Sequence, residues 1–217
     1  MKIERLHNFH DLDYVRTWAE ERKPSLEMFE LMVSIIKEQT TEPISILELG
    51  SGPGFLVEFM LSNFDNISYT ALDFSKEMIQ IAKERLGDKA KHIDFVEGDL
   101  TTDNWKDKIT KKSTIIISTW TLHDLFSEEN IKKVYQNAFE LLPENGLLLN
   151  GDFIKPENTK FEYESGRISI QSHLNLLNEI GFSKSKAMKE YDINIERPAT
   201  SNNYVLLYGQ KQTLHNN

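Results

Sequence analysis

The chain of 217 residues is 39% hydrophobic and 27% charged and contains no cysteine, enough for one substantial core and too little for two comfortable domains. Its 25 Lys and Arg against 34 Asp and Glu leave a formal charge of -9, which repels phosphate backbones and argues against duplex nucleic acid as a partner. Without cysteine there are no disulfides, thiolate zinc sites or cysteine nucleophile; with no signal-like stretch in Met1–Asp13 and only short aliphatic runs, the expectation is a soluble, cytoplasmic protein with no membrane partner.

In chain order, the first strong periodicity is an amphipathic helix from Pro24 to Lys37, with Leu26, Phe29, Val33 and Ile36 on one face. Apolar, β-branched runs then alternate with helical spacing. Strands are predicted at Ile44–Leu49, Ile67–Leu72, Ile93–Val96, Thr114–Thr119 and Leu147–Ile154; helices at Phe55–Leu61, Lys76–Leu86 and Glu128–Leu142. Ser75 and Ser127 stand where a capping hydroxyl belongs, each followed by acidic residues suited to a helix N-terminus. A helix at Gln171–Ile180 and strands at Ser183–Ile195 and Asn203–Gln210 complete the chain, the last two as an antiparallel pair at one edge. Such alternation predicts an α/β fold, a mostly parallel sheet covered on both faces. The expected organisation is one domain: residues 1–40 an N-terminal helical lid, 41–154 a cofactor-binding core, and 155–217 a C-terminal helix with the strand pair.

The sharpest local signal is Glu48-Leu49-Gly50-Ser51-Gly52-Pro53-Gly54-Phe55, between a strand and a helix. That is where open α/β sheets bind ligands. Glycines there admit positive φ and close backbone approach, and the free amides of the following helix attract an anionic group. A nicotinamide-type loop reading Gly-x-Gly-x-x-Gly or Ala from Gly50 would place the bulky Phe55 at its last position. Asp73, ending the second strand, can accept from ribose hydroxyls, and Asp99, after the third, from an adenine amine. Either acid alone could equally cap the helix after it; the trio in this order points to an adenosine-bearing ligand.

On these residues, the segment from Ile44 to Ile154 resembles the class I S-adenosylmethionine-dependent methyltransferases. The resemblance implies a Rossmann-like three-layer sandwich with a seven-stranded sheet, order 3-2-1-4-5-7-6, strand 7 antiparallel. It implies that Glu48, Gly50, Ser51, Gly52 and Gly54 cradle the methionine moiety, Asp73 the ribose and Asp99 the adenine, with Phe74, Met78 and Leu100 flanking the ring. Ser118 and Thr119, at the end of the fourth strand, belong to the same expected cofactor set. The stretch Tyr14–Pro24 is similar to the lid of some small members, which would let Tyr14 or Arg22 reach the donor's carboxylate.

The fourth strand runs into Trp120-Thr121-Leu122-His123-Asp124-Leu125. His123 has a suitable side chain and position for a base that deprotonates the methyl acceptor, a role that competes with plain backbone hydrogen bonding. Trp120 and Asp152 are candidate substrate residues on the same rim; Trp120 could instead be packing, and Asp152 could hold a polar loop. His173 reads as structural, and the histidines show no metal-ligand spacing. Members that methylate amino groups carry an Asn/Asp-Pro-Pro-Tyr/Phe motif where Ser118-Thr119-Trp120-Thr121 stands. The resulting expectation is methyl transfer from S-adenosylmethionine to an O, N or C atom of a small-molecule substrate, by a monomer or homodimer. An RNA or protein methyltransferase, or a non-catalytic module that holds the donor, are the alternatives.

Overall fold

The computed structural model describes residues 8–22, 24–40, 43–102, 104–159, 163, 165–191 and 203–212. Its seven strands are β1 (Ile44–Leu49), β2 (Ile67–Asp73), β3 (Ile93–Glu97), β4 (Ile115–Thr119), β5 (Leu147–Phe153), β6 (Phe182–Tyr191) and β7 (Tyr204–Lys211). They lie in one sheet of order β3-β2-β1-β4-β5-β7-β6. β1 to β5 are mutually parallel, while β7 runs antiparallel to both β5 and β6. The strand order implied by the resemblance is the one observed. Residues 192–195, the end of the expected Ser183–Ile195 strand, lie outside the described residues.

Among the described residues six helices complete the layers: α1 (Leu12–Glu21), α2 (Leu26–Gln39), α3 (Phe55–Asn63), α4 (Lys76–Leu86), α5 (Glu128–Leu141) and α6 (Ile170–Ile180). Residue alternation along the strands sorts the core into two. Ile46, Ile115, Ile117, Leu147 and Leu149 pack with α2 and α3, whereas Leu47, Leu49, Ile116 and Leu148 pack with α5 and α6. The isoleucine run of β4 is buried on both sides, as a central parallel strand requires. Truncating any of these residues to alanine costs about 2–5 kcal/mol, because close-packed neighbours collapse only partly into the gap.

Where the spacing predicts one N-terminal helix, the structure has two. α1 begins at Asp11, whose side chain accepts from Tyr14 N, and rests Val15 and Ala19 on Met78 and Ile81 of α4. Its buried stripe is too narrow, and its charge too dense, to stand out by periodicity. α2 spans Leu26–Gln39 rather than Pro24–Lys37, with Ser25 at its N-cap position.

β6 is an edge strand that exposes Lys184, Lys186 and Lys189, charges that discourage pairing with a further strand. Among the described residues no helix is long and apolar enough to cross a membrane.

Candidate active site

The C-terminal ends of β1, β2, β4 and β5 carry the chemistry-bearing residues onto one rim. After β1 the chain turns through Gly50, Gly52 and Gly54 at φ of +70°, +52° and +80°. The Gly50 and Ser51 amides both donate to Leu72 O, at 2.8 and 2.9 Å, and Gly52 N donates to Asp73 Oδ2 at 2.8 Å. Gly54 N-caps α3, and the first helical bond inside it is Glu58 N to Gly54 O; the amides of residues 55–57 therefore have no partner within the helix. A Cβ on Gly52 would meet nothing within 4 Å, so open space lies above it, and Ser51 Oγ is buried without a hydrogen-bond partner. These features suit a ligand lying along the loop.

Glu48 lies beneath this loop and is almost fully buried. Its Oε2 accepts from Tyr69 OH at 2.7 Å, and burial pushes its carboxyl up to about 8 against the ordinary 4.5, the tyrosine bond offsetting part of the rise. Asp73 also accepts from Ser75 N at 2.9 Å, and Asp99 Oδ1 accepts from Thr101 N and Oγ1 at 2.9 and 2.7 Å. Both acids thus brace their own loops. Phe74 is bracketed by Phe9 and His10, with ring centroids 6.1 and 5.2 Å away. Met78 is buried under α1 and Leu100 in the α5/α6 core. Ser118 Oγ donates to Leu49 O at 2.9 Å, and the Thr119 carbonyl accepts from Thr121 Oγ1. Tyr14 and Arg22 sit on and just beyond α1; Tyr14 faces Phe9, and the Arg22 guanidinium lies 4.7 Å over the Trp18 ring.

The loop after β4 is shaped at a conformational cost. Trp120 at φ +49° and Phe126 at φ +66° bracket a 3-10 turn, Leu122–Leu125. Bulky residues in left-handed backbone cost about 1–3 kcal/mol each and mark overdetermined sites. The turn is held in two ways. Thr121 Oγ1 lies 3.2 Å from Gly50 O, and a Cβ at Gly50 would meet Thr121 Cγ2 at 2.2 Å, so the glycine loop and this turn are in contact. Asp152, at the end of β5 and fully buried, accepts from His123 N through Oδ2 at 3.0 Å and meets His123 Nδ1 through Oδ1 at 2.7 Å. Since a carboxylate only accepts, Nδ1 carries the proton and Nε2 is left as the basic nitrogen. Burial pulls the imidazole down, but the charge and hydrogen bond of Asp152, with Asp124, outweigh it and raise His123 above its ordinary 6.5.

Sequence reasoning placed His123 and Asp152 on one rim without pairing them. The β4–β5 register, Thr119 opposite Gly151, brings them together. Phe153 meets the His123 ring edge-on at 4.9 Å, Tyr204 lies 6.2 Å from Phe153, and Trp120 lies 6.3 Å from Tyr204 and 6.0 Å from Phe29. This aromatic wall was not foreseen beyond Trp120, because its members come from α2, β5 and β7. Below Asp152, Tyr135 OH lies 2.8 Å from His173 Nδ1 and accepts from Asn150 Nδ2 at 3.1 Å. Burial holds His173 down at about 4, so it is neutral, consistent with a structural part.

A sequence profile described as a methyltransferase domain matches residues 46–146, from β1 to the edge of β5. A malonyl-[acyl-carrier protein] O-methyltransferase of Bacillus cereus is 33% identical over 129 residues, covering 58% of this chain and 45% of the relative. A release factor glutamine methyltransferase of Lactococcus lactis is 25% identical over 200 residues, 86% of this chain and 69% of the relative. Human N-acetylserotonin methyltransferase in complex with S-adenosylmethionine superposes with a TM-score of 0.63 at 16% identity, covering 93% of this chain and 56% of that one, a likeness of fold. The chain spans about half the length of the malonyl-[acyl-carrier protein] O-methyltransferases it matches. Residues 46–146, from β1 through the glycine loop to the edge of β5, are thus similar to a methyltransferase domain, on a fold shared with solved methyltransferases.

Proposed function

We propose that the protein transfers a methyl group from S-adenosylmethionine to a hydroxyl of a small-molecule acceptor, with His123 as the base. The donor would lie along the loop from Glu48 to Gly54, its ribose toward Asp73 and its adenine between Phe74, Met78 and Leu100 with Asp99 at the edge. The orphaned Ser51 hydroxyl and the open space over Gly52 support that fit. Bound there, the donor supplies an electrophilic methyl group on a sulfonium.

The observation that carries the base reading is the two-point grip of Asp152 on His123. One carboxylate fixes the turn through His123 N and the ring through Nδ1, which leaves the lone pair on Nε2, 3.5 Å from Asp124 Oδ1. A hydroxyl needs such a base, because its proton must leave as the new C–O bond forms. Asp152, read from sequence as a substrate residue, serves in this reading as the positioning partner of His123 instead. The wall of Trp120, Phe153, Tyr204 and Phe29 favours a small apolar-bodied acceptor over a polymer. The O-methyltransferase names among the relatives support the same direction. Ser118-Thr119-Trp120-Thr121, with no proline, speaks against the amide transfer that the name of the Lactococcus lactis protein suggests.

The test is calorimetric binding of S-adenosylhomocysteine, then a screen of hydroxylated small molecules scored by S-adenosylhomocysteine release. His123→Ala should keep donor-product affinity and lose roughly 10²–10⁴-fold in turnover. Undiminished turnover would remove His123 from the mechanism.

A further inference from the structure

Beside the His123 turn, at the N-terminal ends of α5 and α6, lies a cavity of about 420 Å³ lined by Lys155, Arg167, Ser169 and Ser172, with Glu128 and Glu157 also on its wall. The strand end carrying Lys155 and the segment carrying Arg167 are stitched together by Lys155 N donating to Ile168 O at 3.1 Å. That segment is also locked onto the base turn. A Cβ on Gly166 would stand 1.9 Å from His123 O, so only glycine lets the two backbones touch.

Arg167 directly follows this contact. Its guanidinium lies 4.6 Å over the Phe153 ring, which also meets the His123 ring at 4.9 Å and the Tyr204 ring at 6.2 Å. The cation is therefore one aromatic ring removed from the base, and near enough that its charge opposes protonation of His123. A stacked guanidinium is preorganised, so little side-chain freedom is lost when it takes a ligand.

We propose that this cavity binds a single anionic group, carboxylate or phosphate, on the methyl acceptor, with Arg167 and Lys155 as its recognition residues. The inference rests on the reading of His123 as the acceptor-side base and names the acceptor's class: a small hydroxylated anion. A planar guanidinium forks onto either oxyanion, and the ammonium of Lys155 adds a point charge. In a chain of net charge -9, two cations at one cavity beside the base are not the general character of the surface. Glu128 and Glu157 on the same wall suit one compact anion and repel a polyanion. Ser169 and Ser172 supply hydroxyls at the rim, and the Ser169 hydroxyl also accepts from Ser172 N at 3.1 Å.

The experiment titrates malonate and inorganic phosphate separately, at constant ionic strength, into the protein with and without S-adenosylhomocysteine. The readout is the NMR shifts of the Arg167 side chain and of the amides at Lys155 and Ser169–Ser172. Saturable shifts at these positions, with affinity falling at least tenfold in Arg167→Gln and Lys155→Gln, are expected. The tighter of the two probes tells a carboxylate-bearing acceptor from a phosphorylated one. No saturable shift with either anion, or equal affinity in Arg167→Gln, overturns the proposal. Unchanged S-adenosylhomocysteine affinity in the variants shows that they have folded. If the wild-type protein fails to bind S-adenosylhomocysteine, the donor reading falls, while the titrations in ligand-free protein still decide the anion site.

Discussion

Replacing Glu48 with glutamine should stabilise the ligand-free protein, by an amount that grows with pH in a defined window. Glu48 is buried at the floor of the glycine loop with a carboxyl near 8 instead of the ordinary 4.5. A carboxyl raised on folding favours its protonated form in the native state. Its contribution is fully present below about 4.5 and is lost as pH rises toward 8, while the unfolded chain ionises freely. Glutamine does not titrate, and its carbonyl can still accept from Tyr69 OH. The stability difference between variant and wild type should therefore climb by about 1.4 kcal/mol per pH unit from 4.5 to 8 and then level off. At pH 7 the relief amounts to about 3 kcal/mol, less about 1 kcal/mol for burying the extra amide N–H. In a domain of this size the climb is roughly 3–6 °C of melting temperature per pH unit. Urea unfolding of both proteins at pH 5, 6, 7 and 8, with m-values compared, measures it. A difference that does not vary with pH would mean that Glu48 ionises normally in the fold, and the reasoning from burial would be refuted.

Asp152→Asn removes the larger of the two charges that raise His123, leaving Asp124 alone to oppose burial, so the imidazole should titrate lower than in the wild type; the rising limb of kcat/KM against pH then moves to lower pH while the maximum falls by roughly 10²–10⁴-fold. The stability that the pair contributes is full below about 6.5 and fades as pH rises through the folded value, so the gap between wild type and Asp152→Asn in urea should narrow above neutrality. Gly50→Ala combines a φ of +70° with a 2.2 Å contact to Thr121, whereas Gly52→Ala meets only a φ of +52°. The first should cost about 2–4 kcal/mol and the second about 1–2 kcal/mol in thermal melts, and equal costs would contradict the contact. Tyr135→Phe strands the buried His173 Nδ1 and Asn150 Nδ2 and should cost about 2–4 kcal/mol by urea titration.

How much of this was legible in the sequence differs from element to element. The β1 loop announced itself because three glycines, a strand before them and a helix after them are all local features. β4 was legible because three consecutive isoleucines have few homes other than a doubly covered strand. α1 was missed as a helix, since only Val15 and Ala19 of its residues are buried, and its fit depends on the surface of α4 rather than on its own periodicity. The partnership of His123 with Asp152 spans 29 positions and exists only through the β4–β5 register, which no spacing rule supplies. Arg167 gave no signal in sequence. Its importance comes from Gly166 touching the His123 backbone, a contact between two irregular segments.

The contact between Gly50 and Thr121 has a consequence for how such a protein can change. The loop after β1 and the turn after β4 share one small volume, filled by the Thr121 side chain and left free by the missing Cβ of Gly50. A larger residue at either position displaces the other loop. Variation at 50 and 121 is therefore epistatic: trimming residue 121 is a permissive step that must precede any enlargement at 50. Drift in the acceptor-side turn is thereby kept in step with the loop across from it.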